Sequence, residues 1–281
     1  MKGPASTLKL THAQIFVREA DVQHDELSHR WLDRTLQYYR GGVDLFCLPR
    51  AGCGLNQFGR WPPTVGDITV RVLRFPGDYD PLWWAAYASF TAQASDLVAD
   101  LGESLPGRFA LFGHGSSALV AYEAAAELAR RGMTAPVRLI VSGSRPPQHA
   151  RVAGPLPSDS ALEEAALVAC LEIGGNPLPS LVEASARALR AEAIASRAYE
   201  APAPTWLSCP ITAISWAQDS SADQAAMAAW AECGATTFVT LDGSRYRYAQ
   251  APPELLKIIA FPDSFGPEPA GGMIRPGEAE G

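Results

Sequence analysis

The chain has 281 residues, enough for one large domain with a substantial buried core. Hydrophobic residues make up 47% and charged residues 19%, which excludes a chain disordered throughout. Lysine and arginine total 23 against 30 aspartate and glutamate, a net charge of −7 that argues against nucleic acid or an anionic membrane surface as the partner.

Residues 1–42 are predicted to form an N-terminal extension with one loose amphipathic helix over 25–39. From residue 43 short β-like runs alternate with helical stretches. Strands are predicted over 43–48, 68–74, 109–113, 137–143, 210–216 and 236–241. Helices are predicted over 81–103, 117–131, 160–173, 180–198 and 222–233, with a last one from Pro252-Pro253 to about 260. Strands separated by helices and short Gly/Pro loops imply an α/β fold with a mostly parallel sheet covered on both faces. The Pro-, Gly- and Glu-rich segment 263–281 reads as a disordered tail.

Five cysteines without a CxxC pair support neither a disulfide scaffold nor a cysteine zinc site, and a reducing cytoplasm fits. No metal site is expected. No run approaches 18 apolar residues, so no membrane span is expected, and the N-terminus lacks the apolar stretch of a signal peptide. No glycine-rich dinucleotide fingerprint follows a strand, and no cofactor is implied. The five histidines are His12, His24, His29, His114 and His149, so none lies after position 149.

The segment 108–132, RFALFGHGSSALVAYEAAAELARRG, reads as strand, tight turn and helix. Such a turn between small residues is where α/β-hydrolases expose a nucleophile. Gly113, Gly115 and Ser117 meet the size requirement. Four further stretches fall in order around it: CLPRAGC (47–53), LIVSGSRPPQ (139–148), LEIGGNP (171–177) and CPITAISWAQD (209–219). Together with LFGHGSSALVAYE (111–123), they make the chain resemble the type II thioesterases of polyketide and nonribosomal-peptide assembly lines. The resemblance implies an alpha/beta-hydrolase domain over 43–262, with a small helical lid at about 150–205. It also implies a partner, an acyl or peptidyl carrier protein whose phosphopantetheine arm delivers the substrate.

The family's nucleophilic serine falls on Gly115, which has no side chain, and its late catalytic histidine falls on Arg245 within DGSRYRY (242–248). Only the acid is retained, at Asp219, with Asp223 as a nearby competitor. Asp219 opposite Arg245 is expected to form a salt bridge, because a guanidinium stays protonated and makes a poor base. The family's oxyanion hole consists of backbone N–H groups that map to Ala51 and Ser116, and substitution of side chains leaves such donors in place.

Alternatives stand at four other positions. Cys53 is either a displaced nucleophile activated by Arg50 or a small buried cysteine. His114 either packs beneath the turn or, with Arg50, contacts substrate. Tyr246 either donates a hydrogen bond to a substrate carbonyl or packs its loop, and Arg245 either holds a carboxylate or is solvated. His149, leading into the lid, is a further base candidate without support from spacing. The functional expectation is a thioesterase-like protein with a degenerate triad and a non-hydrolytic step, such as cyclisation or isomerisation, on a carrier-bound acyl intermediate. A catalytically inactive carrier-binding or scaffold protein is the first alternative. A residual hydrolase using Cys53 or activated water is the second.

Overall fold

The computed structural model describes residues 42–53, 55–74, 89–102, 105, 107–151, 154–200, 203–222 and 224–260. The expected N-terminal extension and C-terminal tail lie outside the described residues apart from Gly42, as do residues 81–88 and Asp223.

Seven strands form one sheet: β1 (Val43–Cys47), β2 (Thr64–Val65), β3 (Ile68–Val72), β4 (Phe109–His114), β5 (Arg138–Ser142), β6 (Leu207–Trp216) and β7 (Gly234–Leu241). Their order is β2-β3-β1-β4-β5-β6-β7, and every pairing is parallel except the short β2–β3 ladder. The two-residue β2 carries too little pattern to be read from sequence.

Among the described residues six α-helices connect them: α1 (Phe90–Leu101), α2 (Ser116–Arg130), α3 (Asp159–Glu172), α4 (Pro179–Ala198), α5 (Gln224–Met227) and α6 (Pro253–Ala260). The helix expected over 81–103 does not run through 89. Ser89 is extended (φ −154°, ψ 156°), its hydroxyl accepts from the Ala92 N–H, and α1 starts after this cap. The helix expected over 222–233 is broken into the four-residue α5 and a 3-10 segment, Ala228–Glu232.

Alternation along the central strands explains the two-sided burial. Phe46, Phe109, Leu111, Leu139, Val141, Ile211 and Ala213 point to one face and pack with α1, α2 and Trp230. Leu45, Cys47, Phe112, Ile140, Ile214 and Trp216 point to the other and pack with α6, Phe58, Trp61 and Tyr248. Among the described residues, no helix is long and apolar enough to cross a membrane, and no group of three or more His, Cys, Asp or Glu side chains is placed to hold a metal ion.

Parallel strands deliver their carboxyl ends to one edge of the molecule, the place where open α/β sheets bind ligands. Arg50, Ala51 and Cys53 follow β1, Gly115 follows β4, Gly143 follows β5, Asp219 follows β6 and Arg245 follows β7. Above this edge, α3 and α4 pack together through Leu162, Ala166 and Ala186. Leu189 of α4 sits so close to Gly52 that a β-carbon there would lie 2.5 Å from its Cγ.

Candidate active site

The turn between β4 and α2 depends on two glycines. A β-carbon at Gly113 would come within 2.4 Å of the Ser117 carbonyl oxygen, so the strand and helix can meet only over a bare Cα. Gly115 has φ 61° and ψ −129°, a strained corner that glycine adopts freely. Its N–H donates to the Ser142 carbonyl at 2.9 Å, and the Ser117 hydroxyl accepts from the His114 N–H at 2.9 Å.

Arg50 occupies the space above Gly115. A β-carbon at Gly115 would lie 3.0 Å from Arg50 Nε and 3.2 Å from its Cδ. The arginine is 8% exposed, and its Nε and Nη1 have no hydrogen-bond partner among the described residues. Gln57 fixes its backbone from both sides: the amide oxygen accepts from the Arg50 N–H at 3.0 Å, and the amide nitrogen donates to the Arg50 carbonyl at 3.3 Å. The Tyr248 hydroxyl in turn donates to that amide oxygen at 2.8 Å. Burial alone lowers the Arg50 pKa, but the Glu192 carboxylate, followed by Cys53, Tyr246 and Tyr248, outweighs it and raises the value. Arg50 stays a cation.

The expected salt bridge between Asp219 and Arg245 takes a different form. Ser221 stands between them: its hydroxyl donates to Asp219 Oδ1 at 2.5 Å and accepts from Arg245 Nη1 at 3.1 Å. Asp219 Oδ1 also accepts the Ser221 N–H at 3.0 Å. This side-chain and backbone capture is an Asx turn, which a sequence read for a triad acid does not announce. Asp219 Oδ2 and Arg245 Nε remain buried without hydrogen-bond partners among the described residues. Burial and the nearby Arg50 lower the Arg245 pKa, while Asp219 raises it in part. Both guanidinium carbons, of Arg50 and Arg245, lie 5.9 Å from the centroid of the Tyr246 ring, within cation–π range.

Cys53 is 5% exposed, and burial pushes its thiol pKa up. The cation expected to activate it, Arg50, pulls the value back only in part. The environment favours thiol over thiolate, the opposite of what a displaced nucleophile needs. His114 is fully buried beneath the turn and stacks on Tyr248 with ring centroids 4.0 Å apart. Its Nδ1 lies 3.0 Å from the Ser142 hydroxyl oxygen, which also accepts the Trp216 indole N–H at 2.9 Å. Burial, then Arg50 and Arg245, hold the imidazole pKa well below its usual value. His114 is thus a buried, neutral imidazole packed beneath the turn.

Two spaces open at this edge. Ala51 and Ser116 line a void of about 10 Å³ together with Phe90, Gln93 and Glu192, room for about one water. Neither the Ala51 nor the Ser116 backbone N–H has a hydrogen-bond acceptor among the described residues. The larger cavity, about 540 Å³, runs from Gly115 and Ser116 past Gly143, Ser144 and Ser221 to Arg145, His149, Arg151, Glu192 and Arg245. Its size is that of a small-molecule site.

The structure brings together Arg50, Gly115, Asp219, Arg245 and Tyr246, as their motif positions imply. It adds four residues without a sequence signal of their own. Ser221 bridges acid and arginine, Gln57 pins Arg50, Arg145 lines the cavity, and Glu192 reaches both spaces from the middle of α4. Glu192 Oε2 is buried and has no partner among the described residues.

A family model described as a thioesterase domain matches residues 43–260. Thioesterase PikA5 of Streptomyces venezuelae is 29% identical over 207 residues, spanning 71% of this chain and 73% of PikA5. The gramicidin S biosynthesis protein GrsT of Aneurinibacillus migulanus is 28% identical over 200 residues, spanning 67% of this chain and 75% of GrsT. The solved structure of RedJ, a thioesterase from the prodiginine biosynthetic pathway in Streptomyces coelicolor, matches with a TM-score of 0.65 at 29% identity, covering 78% of this chain and 89% of RedJ.

Proposed function

The chain belongs to the thioesterase family, and from that premise we propose that it acts in polyketide or nonribosomal-peptide biosynthesis on acyl intermediates held by a carrier protein, and that the step is not hydrolysis. The names of PikA5, GrsT and RedJ support the biosynthetic setting. One observation carries the chemical part: the elbow residue is Gly115, and the volume where a nucleophilic side chain would stand is filled by Arg50. No serine can be deprotonated there, and no histidine follows position 149 to do it.

What remains suits carbanion or enolate chemistry. In this reading a thioester carbonyl oxygen sits in the small void lined by Ala51, Ser116 and Glu192 and accepts the two backbone N–H groups. Backbone donors of this kind stabilise a developing oxyanion by about 3 kcal/mol each. Glu192 Oε2 is the base: it takes a proton from the carbon next to the carbonyl, and the C–H electron pair moves to the carbonyl oxygen as enolate. The Arg50 cation behind Gly115 favours that negative charge. The enolate carbon then attacks a second carbonyl carbon on the same chain, the π pair of that C=O moves to its oxygen, and the resulting alkoxide takes back the proton held by Glu192, which closes a ring at unchanged mass; later elimination of that hydroxyl removes one water.

Intact-mass analysis of an acyl-loaded carrier protein, with and without this chain, tests the reading. The expected product stays on the carrier at unchanged mass or with loss of one water, and Glu192→Gln abolishes its formation. Release of the free acid, leaving the carrier with a bare thiol, would overturn it. The Arg50 packing also favours a second reading, a carrier-binding protein without catalysis. An unaltered acyl carrier that nevertheless binds this chain would select that one.

A further inference from the structure

The larger cavity has a charge opposite to that of the molecule. The chain carries −7, yet Arg145, Arg151 and Arg245 line this cavity, and among the described residues Glu192 is the one acidic side chain on its wall. Immediately behind the wall, Arg50 packs on Gly115 and the Asp219 carboxylate takes both donors of Ser221. Counted together among the described residues, four guanidinium groups stand against two carboxylates.

The cations are also held close together. Arg145 Nε donates to the Ser221 carbonyl at 3.0 Å and Arg245 Nη1 to the Ser221 hydroxyl at 3.1 Å, so one residue gathers two guanidinium groups. Arg50 is near enough to depress the Arg245 pKa. Like charges gathered in a recess raise the energy of the empty site, and a bound anion removes that cost. Two observations point independently to a ligand. Arg50, more than nine-tenths buried, keeps Nε and Nη1 without a partner against the cavity-lining Gly115, and Arg245 keeps a buried Nε the same way.

We infer that this cavity is a seat for an anionic oxygen group, a carboxylate or phosphate, gripped by Arg145, Arg151 and Arg245 with Arg50 adding charge from behind Gly115. The guanidinium fork pairs two N–H donors with two oxygens of either anion. Under the thioester reading above, on which only the source of the anion rests, it is either a carboxylate on the acyl chain or the phosphodiester of the carrier's arm.

Calorimetric titration of the full chain at low salt tests the seat with glutarate, inorganic phosphate and neutral glutaramide. At least one anion is expected to bind about tenfold or more tighter than glutaramide, the scale of one hydrogen bond to a charged group. Added salt is expected to erode the difference. Glutarate the tighter assigns the seat to the acyl chain, and phosphate the tighter assigns it to the arm. Arg151→Gln, at the exposed rim, and Arg245→Gln are each expected to cut anion binding about tenfold, whereas Lys257→Gln on α6 leaves it unchanged. Equal binding of glutaramide, or anion binding that neither arginine variant weakens, would overturn the seat. A parallel titration with pantetheine separates the two readings. Pantetheine binding without anion preference removes the seat and keeps the carrier-arm reading, and anion binding without pantetheine does the reverse.

Discussion

Glycine at 115 and arginine at 50 are packed as a pair. The bare Cα makes room for a guanidinium that Gln57 holds by its backbone, and the guanidinium fills what a side chain at 115 would need. Restoring a serine alone would set it against Arg50 at about contact distance and supply no base. Beneath the turn, His114 makes its own testable contribution. Its imidazole is neutral in the fold because burial and two arginines disfavour the cation. In the unfolded chain it titrates near its ordinary pKa of about 6.5, so below that pH the unfolded state binds a proton the native state does not. Stability therefore falls as pH drops through that value, by up to about 1.4 kcal/mol per pH unit. Urea unfolding at pH 7.5 and pH 5.5 is expected to show this loss in the wild-type chain and a smaller one in His114→Gln. Equal losses in both would show that His114 titrates normally.

Elements place these residues, and here sequence and structure part company in an instructive way. β1, β4 and β5 were legible from apolar runs ending in Gly or Pro, β6 and β7 from runs rich in β-branched and aromatic residues, and α2 from its alanine-rich periodicity. Residues at strand ends could thus be assigned to one edge before any coordinates: Arg50, Gly115, Asp219 and Arg245. Glu192 could not, because nothing in a lid helix of alternating small and charged residues says which turn faces Gly115. Only packing of α4, with Leu189 over Gly52, decides that. The same limit applies to Ser221, whose role depends on an Asx turn, and to the start of α1 after the Ser89 cap. The far end of α4 is tied down by Tyr199, which donates to the Glu123 carboxylate within α2, both buried. Tyr199→Phe leaves that carboxylate without this donor and is expected to cost about 1–3 kcal/mol in denaturant unfolding. It is also expected to speed amide exchange in α4 ahead of the sheet. Unchanged exchange in α4 would mean that other contacts anchor the lid.

At the scale of the whole molecule, a mostly parallel sheet buried on both faces holds five loops at one edge, and Arg50, Gly115, Asp219 and Arg245 stand on those loops. The backbone features survive: the strained Gly115 corner, and the two N–H groups at Ala51 and Ser116 without acceptors among the described residues. The side chains give arginine at the elbow, arginine after β7 and glutamate in the lid. Fold and backbone alone are compatible with acyl-enzyme hydrolysis; the side chains proposed to act here form no covalent acyl-enzyme. The direct measurement is the intact mass of this chain itself, quenched at intervals during incubation with excess acyl thioester. The expected result is an unmodified mass at every time point while substrate is consumed or rearranged. An adduct of one acyl group that disappears in Cys53→Ala would contradict the account and make Cys53 the nucleophile.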